Sequence, residues 1–513
     1  EPVSLGQNTG NDRLAAYFND GVIATQWVAK ELKKEGSKTF EESVKTTDNP
    51  VRVHLGGEIL RELTARLKTA KDSANAHVYA ALFELNDEEL EEALKDLGKR
   101  AHVVLANGSP QKNQKTGEIT IDPNAEAREF LRNHHVDLYD RIFETATGGI
   151  TSHLGHNKFA VFCEGSGNPK FVWTGSTNWS WSGLCTQTNN ALIVNDEAVA
   201  KRYLDQWHLL ADSKANYPPG GKKISEVPAP LSVGGAKVTV SFTPYTGKKG
   251  TITSTQPADL AQASKLIESA KSGILFLMFI PGPNGTLLEV IQKMNAEKGA
   301  KDLYVRGVVQ QDPGPTAKVP SIALAHRGEL VPAPFDIVYP EAVSTDMKWW
   351  VKELKKLSHT NAIIHSKVVV VDPMGDHPIV ITGSHNLGTK ASLQNDENLL
   401  IIENHPILAT QYAVNIATVF NQYWWRFNRI PESQKKNAGA HDSEFHAKSE
   451  PAPGQLWKGL KHDDHWQHKY LPGGEQRFEI DFWMNRRPAD SRMPAKPVRA
   501  GSRPAHRGAQ PGM

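Results

Sequence analysis

The stretch HSKVVVVD, residues 365–372, combines a base and a cation with a run of four valines. The valines predict a buried β-strand, because short apolar runs of β-branched residues favour strands. His365 and Lys367 are two positions apart, so on a strand both side chains point to the same face. Ligands of α/β proteins bind at the ends of strands. The stretch therefore predicts a ligand site at the mouth of a buried strand.

The same pattern occurs earlier in the chain, as HNKFAVFCE at residues 156–164. Each copy leads, through a turn and a second apolar strand, to a G-S-x-N sequence. The matching residues are His156, Lys158, Gly175, Ser176 and Asn178 in the first copy and His365, Lys367, Gly383, Ser384 and Asn386 in the second. Their common order and nearly equal spacing indicate an internal duplication. One position differs, because Cys163 stands where the second copy has Asp372.

A strand–helix–strand pattern precedes each copy, at residues 76–108 and 272–310. Each unit looks like part of a parallel sheet, which predicts an α/β protein. A Pro- and Gly-rich stretch separates the copies, so we expect an N-terminal half over residues 1–235 and a C-terminal half over 236–430. We expect residues 431–513 to form a partly disordered C-terminal extension, because its end is basic and rich in Pro and Gly.

Paired histidines, lysines and asparagines suit the cleavage of a phosphodiester. Lysine ammonium and asparagine amide groups can hold the negative non-bridging oxygens of the transition state. One neutral histidine can attack phosphorus and form a covalent phosphohistidine. The other histidine, protonated, can donate to the leaving oxygen and then activate the water or alcohol that resolves the intermediate. This chemistry needs no metal and no cofactor.

The motif H-x-K-x-x-x-x-D followed by G-S-x-N, present twice in one chain, resembles the phospholipase D superfamily. The resemblance covers roughly residues 50–430. It implies two α-β-α halves with mixed β-sheets, related by a pseudo-twofold axis, with the active site in the cleft between them. It implies catalytic roles for His156, Lys158, Asn178, His365, Lys367 and Asn386. Asp372 and its counterpart Cys163 are expected to have structural roles.

Each catalytic histidine needs a partner for its second ring nitrogen. Asn189 and Glu397 follow the two G-S-x-N glycines at the same separation, and the resemblance implies a partner near this position. A carboxylate raises the pKa of a histidine, whereas an amide does so much less. We therefore expect Glu397 to hold His365 as the proton donor, and Asn189 to hold His156 as the nucleophile.

Further residues are candidates at the edge of the site. Gln187 or Asn190 could replace Asn189 as the amide partner. Candidates for substrate contact are Ser176, Ser384, Trp349 and Trp350.

The leading substrate is a glycerophospholipid at a membrane or micelle surface, hydrolysed to phosphatidic acid and the head-group alcohol. Transfer to another alcohol is the expected side reaction, because the covalent intermediate can accept either. A metal-independent nuclease of the same superfamily is the first alternative, since the motif does not separate nucleic acid from lipid. A non-catalytic binding protein on the same fold is the second. We expect a monomer.

Bulk composition sets outer limits on these hypotheses. The chain is 39% hydrophobic and 23% charged, as expected for a globular protein, and its net charge of +2 does not favour a polyanionic partner. It begins at Glu1 rather than Met, as after removal of a signal peptide, so we expect a secreted or periplasmic protein. Cys163 and Cys185 could form one disulfide or remain two free thiols.

Overall fold

The fold was analysed in a computed structural model of the chain. The described residues are 13–21, 25–34, 39–112, 116–145, 149, 151–248, 256–280, 285–298, 303–310, 323–326, 329–330, 336–338, 363–427, 464–474 and 476–485. The chain forms two compact units, Glu1–Lys458 and Gly459–Met513. None of the described helices is both long and apolar enough to cross a lipid bilayer.

Strands from both duplicated regions build two large sheets. The strands are β1 Leu14–Phe18, β2 Ala76–Leu82, β3 Ala101–Ala106, β4 Gln111–Lys112, β5 Ile119–Thr120, β6 Asp137–Arg141, β7 Lys158–Glu164, β8 Pro169–Gly175, β9 Gln187–Thr188, β10 Asn190–Val194, β11 Leu231–Val233, β12 Ala236–Phe242, β13 Gly273–Met278, β14 Tyr304–Val309, β15 Ala323–His326, β16 Glu329–Leu330, β17 Asp336–Val338, β18 Ile363–Ile364, β19 Val368–Val371, β20 Ile379–Gly383 and β21 Asn398–Glu403.

Helices connect and cover these strands. The α-helices are α1 Thr25–Lys34, α2 Phe40–Lys45, α3 Pro50–Asp72, α4 Glu88–Leu97, α5 Ala125–Asn133, α6 Trp181–Cys185, α7 Glu197–Ser213, α8 Ala258–Glu268, α9 Leu287–Lys298, α10 Thr389–Gln394, α11 Pro406–Phe427 and α12 Arg477–Trp483. Short 3-10 helices lie at Gly98–Arg100, Pro219–Gly221 and His465–Tyr470. Helix α3 is kinked at Gly57, whose φ of 52° is not helical.

The first sheet has the strand order β1-β10-β8-β7-β2-β3-β6 and is mixed. Strands β2, β3 and β6 run parallel, and the remaining pairs are antiparallel. On one face, Val78 and Ala80 of β2 share a hydrophobic core with Ile59 of α3. On the other face, Trp207 of α7 packs against Tyr79. Helices therefore cover both faces of the sheet, as in other α/β folds.

The second sheet has the order β11-β12-β21-β20-β19-β13-β14-β17-β15-β16 and is also mixed. Strand β19, the predicted valine strand, lies between β13 and β20 in antiparallel register, with Val369 opposite both Phe276 and Ile381. All four of its valines are buried. This central position explains the continuous apolar run, because such a strand is covered on both faces.

Equivalent polar contacts join the halves. Asn190, the first residue of β10, donates from Nδ2 to Thr382 Oγ1 at 3.0 Å. Asn398, the first residue of β21, accepts at Oδ1 from Thr174 Oγ1, also at 3.0 Å. Each asparagine thus reaches the strand that ends in the other half's G-S-x-N sequence. This reciprocity is what a pseudo-twofold arrangement of two duplicated halves produces.

The predicted α/β fold with two mixed-sheet halves is confirmed. The boundary after residue 235 stays a prediction; β11, which precedes it, pairs with β12, which follows it. The division at 430 stays a prediction. Of the C-terminal extension, the structure describes 464–474 and 476–485, and the segment predicted to be disordered lies largely outside the described residues. Cys163 and Cys185 are both free and buried.

Candidate active site

The two motif histidines occupy equivalent positions in the two sheets. His156 lies just before β7 and packs edge-on against Phe83, with ring centroids 4.7 Å apart and planes at 64°. His365 lies just before β19 and packs against Phe279 at 4.6 Å and 64°. Both histidines are only 4% exposed. The site is thus built twice, once at the end of each central strand.

The amine groups of Lys158 and Lys367 are buried and have no ion-pair partner among the described residues. Each donates from Nζ to the carbonyl oxygen of its own motif histidine, at 2.9 and 2.5 Å. Burial lowers the pKa of Lys158 to about 7, although Glu397 and Glu84 act to raise it. Burial and the charge of Lys158 also hold the pKa of Lys367 well below its usual range. Buried cations are costly unless they are compensated, so this arrangement favours binding of an anion.

A short parallel pairing between the halves brings His365 to an amide of the N-terminal half. Strand β18, directly before His365, pairs with β9, directly before Asn189. The His365 Nδ1 and Asn189 Oδ1 atoms are 2.9 Å apart. The amide orientation is set by Asn189 Nδ2, which donates to the carbonyl oxygen of Gly183 at 2.8 Å. His365 must therefore donate from Nδ1, which leaves its Nε2 unprotonated in the neutral ring.

The equivalent pairing brings His156 to a carboxylate of the C-terminal half. Leu154 lies two residues before His156, and Asn395 lies two residues before Glu397. Leu154 and Asn395 form a parallel β-bridge. His156 Nδ1 and Glu397 Oε2 are 3.3 Å apart, and both side chains are almost fully buried. Asn395 Nδ2 donates to Glu397 Oε1 at 2.6 Å and orients the carboxylate. The Glu397 carboxylate thus lies within ion-pair distance of the imidazole of the opposite half, although neither His156 Nδ1 nor Glu397 Oε2 makes a hydrogen bond within the described residues.

The predicted partners of the two histidines are therefore wrong. We expected Glu397 to hold His365 and Asn189 to hold His156, but the structure shows the opposite pairing. The reason is the backbone pairing between the two halves, which places each partner beside the histidine of the other half. The predicted alternative Asn190 binds Thr382 instead.

Burial and positive charge control the protonation of the site. The pKa of His156 falls to about 4 through burial and Lys158, and Glu397 opposes this shift. Burial, Lys367 and Lys158 hold the pKa of His365 well below its usual range. Burial would raise the pKa of Glu397, but the adjacent His156 lowers it below its usual value. These shifts favour the neutral form of both imidazoles and the ionised form of Glu397.

The glycine of each G-S-x-N sequence is required by a close approach of strands. A Cβ atom at Gly175, where φ is +146°, would lie 2.4 Å from the carbonyl oxygen of Asn190. A Cβ atom at Gly383, where φ is +137°, would lie 2.3 Å from the carbonyl oxygen of Asn398. Any side chain at either position would push apart the strands that carry the site.

The motif serines make hydrogen bonds within the protein framework. Ser176 Oγ donates to Asn189 Oδ1 at 2.7 Å, so it supports the partner of His365. Ser384 Oγ accepts from the backbone N–H of Asn398 at 3.0 Å. Both serines are fully buried. The predicted substrate contacts of these two residues stay a prediction.

The motif asparagines differ between the halves. Asn178 is buried and donates from Nδ2 to Glu84 Oε2 at 2.7 Å. The Oδ1 atoms of Asn178 and Asn386 are both buried without a hydrogen-bond partner in the described structure, so the difference lies in the Asn178 contact to Glu84. Glu84 was not predicted from the sequence. A comparison of the copies would have revealed it, because Phe83 is followed by Glu84 whereas Phe279 is followed by Ile280.

Asp372 holds the backbone beneath the second motif, as its predicted structural role requires. Its carboxylate accepts from the backbone N–H groups of Lys271, Ser272 and Gly273 at 2.7 to 2.9 Å. Cys163 takes the equivalent place in the first half, where burial raises its pKa to about 12. The predicted substrate contacts Trp349 and Trp350 lie outside the described residues.

The chain matches the family model described as "Cardiolipin synthase, PLD-like domain" over residues 63–209 and 264–424. Each match contains one H-x-K and one G-S-x-N sequence. The chain therefore belongs to this phospholipase D-like family of phosphodiesterases and phosphotransferases, and the resemblance seen in the sequence is confirmed. A search of the curated proteins finds no match.

Solved structures with a similar chain path are distant in sequence. Phosphatidylserine synthase from Haemophilus influenzae Rd KW20 is 12% identical, with 74% of this chain and 90% of that chain covered and a TM-score of 0.44. Polyphosphate kinase from Porphyromonas gingivalis is 9% identical, with 69% of this chain covered and a TM-score of 0.41; this chain spans only 47% of the kinase. The phospholipase D family member Nuc from Salmonella typhimurium is 18% identical, with 36% and 95% covered and a TM-score of 0.22.

Proposed function

We propose that the protein is a phosphodiesterase that works through a covalent phosphohistidine. One observation carries this proposal: each motif histidine is held by a side chain of the opposite half, at 2.9 and 3.3 Å, beside two buried lysines without ion-pair partners. The lysines supply the positive charge for a phosphodiester anion, and the imidazoles supply a nucleophile and a proton donor.

In this mechanism His365 is the nucleophile. Its Nδ1–H is donated to Asn189, so the Nε2 lone pair is available to attack phosphorus. The new N–P bond replaces the bond between phosphorus and the leaving oxygen. Asn189 is neutral and keeps the resting imidazole neutral, as a nucleophile requires.

His156 is the proton donor and acceptor. Its carboxylate partner Glu397 favours the imidazolium, and a bound phosphodiester anion would offset the lysine charges that lower the pKa of His156. The protonated His156 gives its proton to the leaving oxygen. It then takes a proton from water or an alcohol, whose oxygen attacks phosphorus as the bond to His365 breaks.

The proposed substrate is a glycerophospholipid, which the protein would hydrolyse to phosphatidic acid and the head-group alcohol. The family description supports a lipid, because it names cardiolipin synthase, an enzyme of phospholipid metabolism. An alcohol in place of water would give transfer of the phosphatidyl group. The proposal includes action by a monomer at a membrane or micelle surface, outside the cytoplasm.

One assay separates this function from its alternatives. Wild type and His156→Ala are incubated in EDTA with phosphatidylcholine in mixed micelles and, separately, with single-stranded DNA. We expect the wild type to release choline and His156→Ala to lose this activity by a factor of about 10³ or more, since the leaving alcohol would depart unprotonated. Cleavage of DNA but not of phosphatidylcholine would show that the protein is a nuclease and not a phospholipase. Cleavage of neither would favour a binding protein.

A further inference from the structure

Glu84 makes the candidate site asymmetric. It follows β2 and Phe83, and its Oε2 accepts from the motif Asn178 at 2.7 Å. Its Oε1 accepts from Ser109 Oγ at 2.9 Å. In the opposite half the equivalent residue is Ile280, which is 42% exposed. One rim of the site is therefore acidic and the other apolar.

The carboxylate of Glu84 lies within electrostatic reach of the reacting groups. Its charge raises the pKa of both Lys158 and Lys367, so it acts on cations from the two halves. No lysine or arginine among the described residues forms an ion pair with it. Both of its hydrogen-bond donors, Asn178 and Ser109, are neutral. The negative charge of this partly buried side chain is thus not neutralised by a contact within the protein.

We propose that Glu84 selects a leaving or accepting alcohol that carries an ammonium group. This inference rests on the proposed function, in which His156 protonates the leaving oxygen and so faces the departing alcohol. Glu84 belongs to the same half as His156, and the residue before it, Phe83, packs on the His156 ring. An ammonium group on that alcohol would meet the Glu84 carboxylate, whose hydrogen-bond donors are both neutral, and form a charge-assisted contact with it.

The same charge disfavours a polynucleotide. The alcohol that leaves from an internal phosphodiester of DNA or RNA carries the next phosphate, which Glu84 would repel. Glu84 therefore selects an amino-alcohol phosphodiester, such as a phospholipid with a cationic head group, over a nucleic acid.

The test measures how the covalent intermediate divides between two acceptors of similar size. Bis(para-nitrophenyl) phosphate serves as the donor, and ethanolamine and propanol compete at equal concentration. Their oxygen attacks phosphorus, the bond to His365 breaks, and the proton passes to His156. We expect the wild type to favour ethanolamine by about five- to tenfold, and Glu84→Gln to reduce the ratio to about one. Mass spectrometry of the two esters gives the ratio.

Ile280→Gln is the matched control, since it alters the equivalent position of the opposite rim, and we expect it to keep the wild-type ratio. If Glu84→Gln slows transfer to both acceptors equally and keeps the ratio, Glu84 only positions Asn178 and the selectivity proposal is overturned. If the wild type releases no para-nitrophenol at all, the phosphodiesterase proposal fails first, and this one fails with it.

Discussion

His365→Ala is expected to abolish the release of para-nitrophenol from bis(para-nitrophenyl) phosphate, with kcat lowered by about 10⁴-fold or more. The substitution removes the atom that would bond to phosphorus, and no other group takes its place. The Asn189 amide that holds the imidazole is neutral and is itself bound by Ser176. Stopped-flow absorbance should therefore show neither a burst nor a steady rate.

His156→Ala is expected to behave differently with the same substrate. Para-nitrophenolate leaves without a proton, so the first step needs no acid, whereas the second step needs a base to activate water. We expect a burst of about one para-nitrophenol per enzyme, followed by a steady rate at least about 10²-fold below that of the wild type. His208→Ala, on an exposed position of α7, is the control and should match the wild type. A burst from His365→Ala and none from His156→Ala would reverse the two roles.

Arg141→Met is expected to lower the free energy of unfolding by about 3–5 kcal/mol. Arg141 ends β6, and its Nε donates to Asp396 Oδ2 at 2.6 Å, with the two side chains 1% and 0% exposed. The guanidinium also donates to the carbonyl oxygens of Lys214 and Asn216. Removing it leaves the Asp396 charge buried and unpaired, one residue before Glu397. Urea denaturation followed by tryptophan fluorescence measures the loss.

Two further variants identify the cause of that loss. Arg141→Met combined with Asp396→Asn removes the orphaned charge, so we expect part of the stability to return. Lys201→Met breaks an ion pair to Asp205 whose side chains are 65% and 60% exposed, and should leave the unfolding midpoint unchanged. An Arg141→Met protein as stable as the wild type would show that this ion pair does not hold the halves together.

Sequence reasoning located the histidines and lysines because the relevant pattern is local. On a strand, a spacing of two places both side chains on one face, and the four valines after Lys367 identify a buried central strand. The duplication then predicts a second half with the same arrangement of strands. The buried strand and the duplication follow from the sequence pattern, whereas the two mixed-sheet halves are what the family resemblance implies, and the sheets built around β7 and β19 bear out that fold.

The histidine partners could not be predicted because they depend on how the halves meet. Glu397 belongs to the same half as His365, but the parallel bridge between Leu154 and Asn395 places it beside His156. Backbone pairing of such short segments has no signature in residue type. Glu84 has no counterpart in the second copy, where Ile280 stands, so residues shared by the two copies do not indicate it.

The most direct test of the account is to locate the covalent phosphoryl group. His156→Ala is mixed with bis(para-nitrophenyl) phosphate, quenched in alkaline denaturant after the burst, digested and mapped by mass spectrometry. We predict a para-nitrophenyl phosphoryl group on His365. A digest that covers His365 and shows it unmodified, although the burst has occurred, would show that His365 is not the nucleophile.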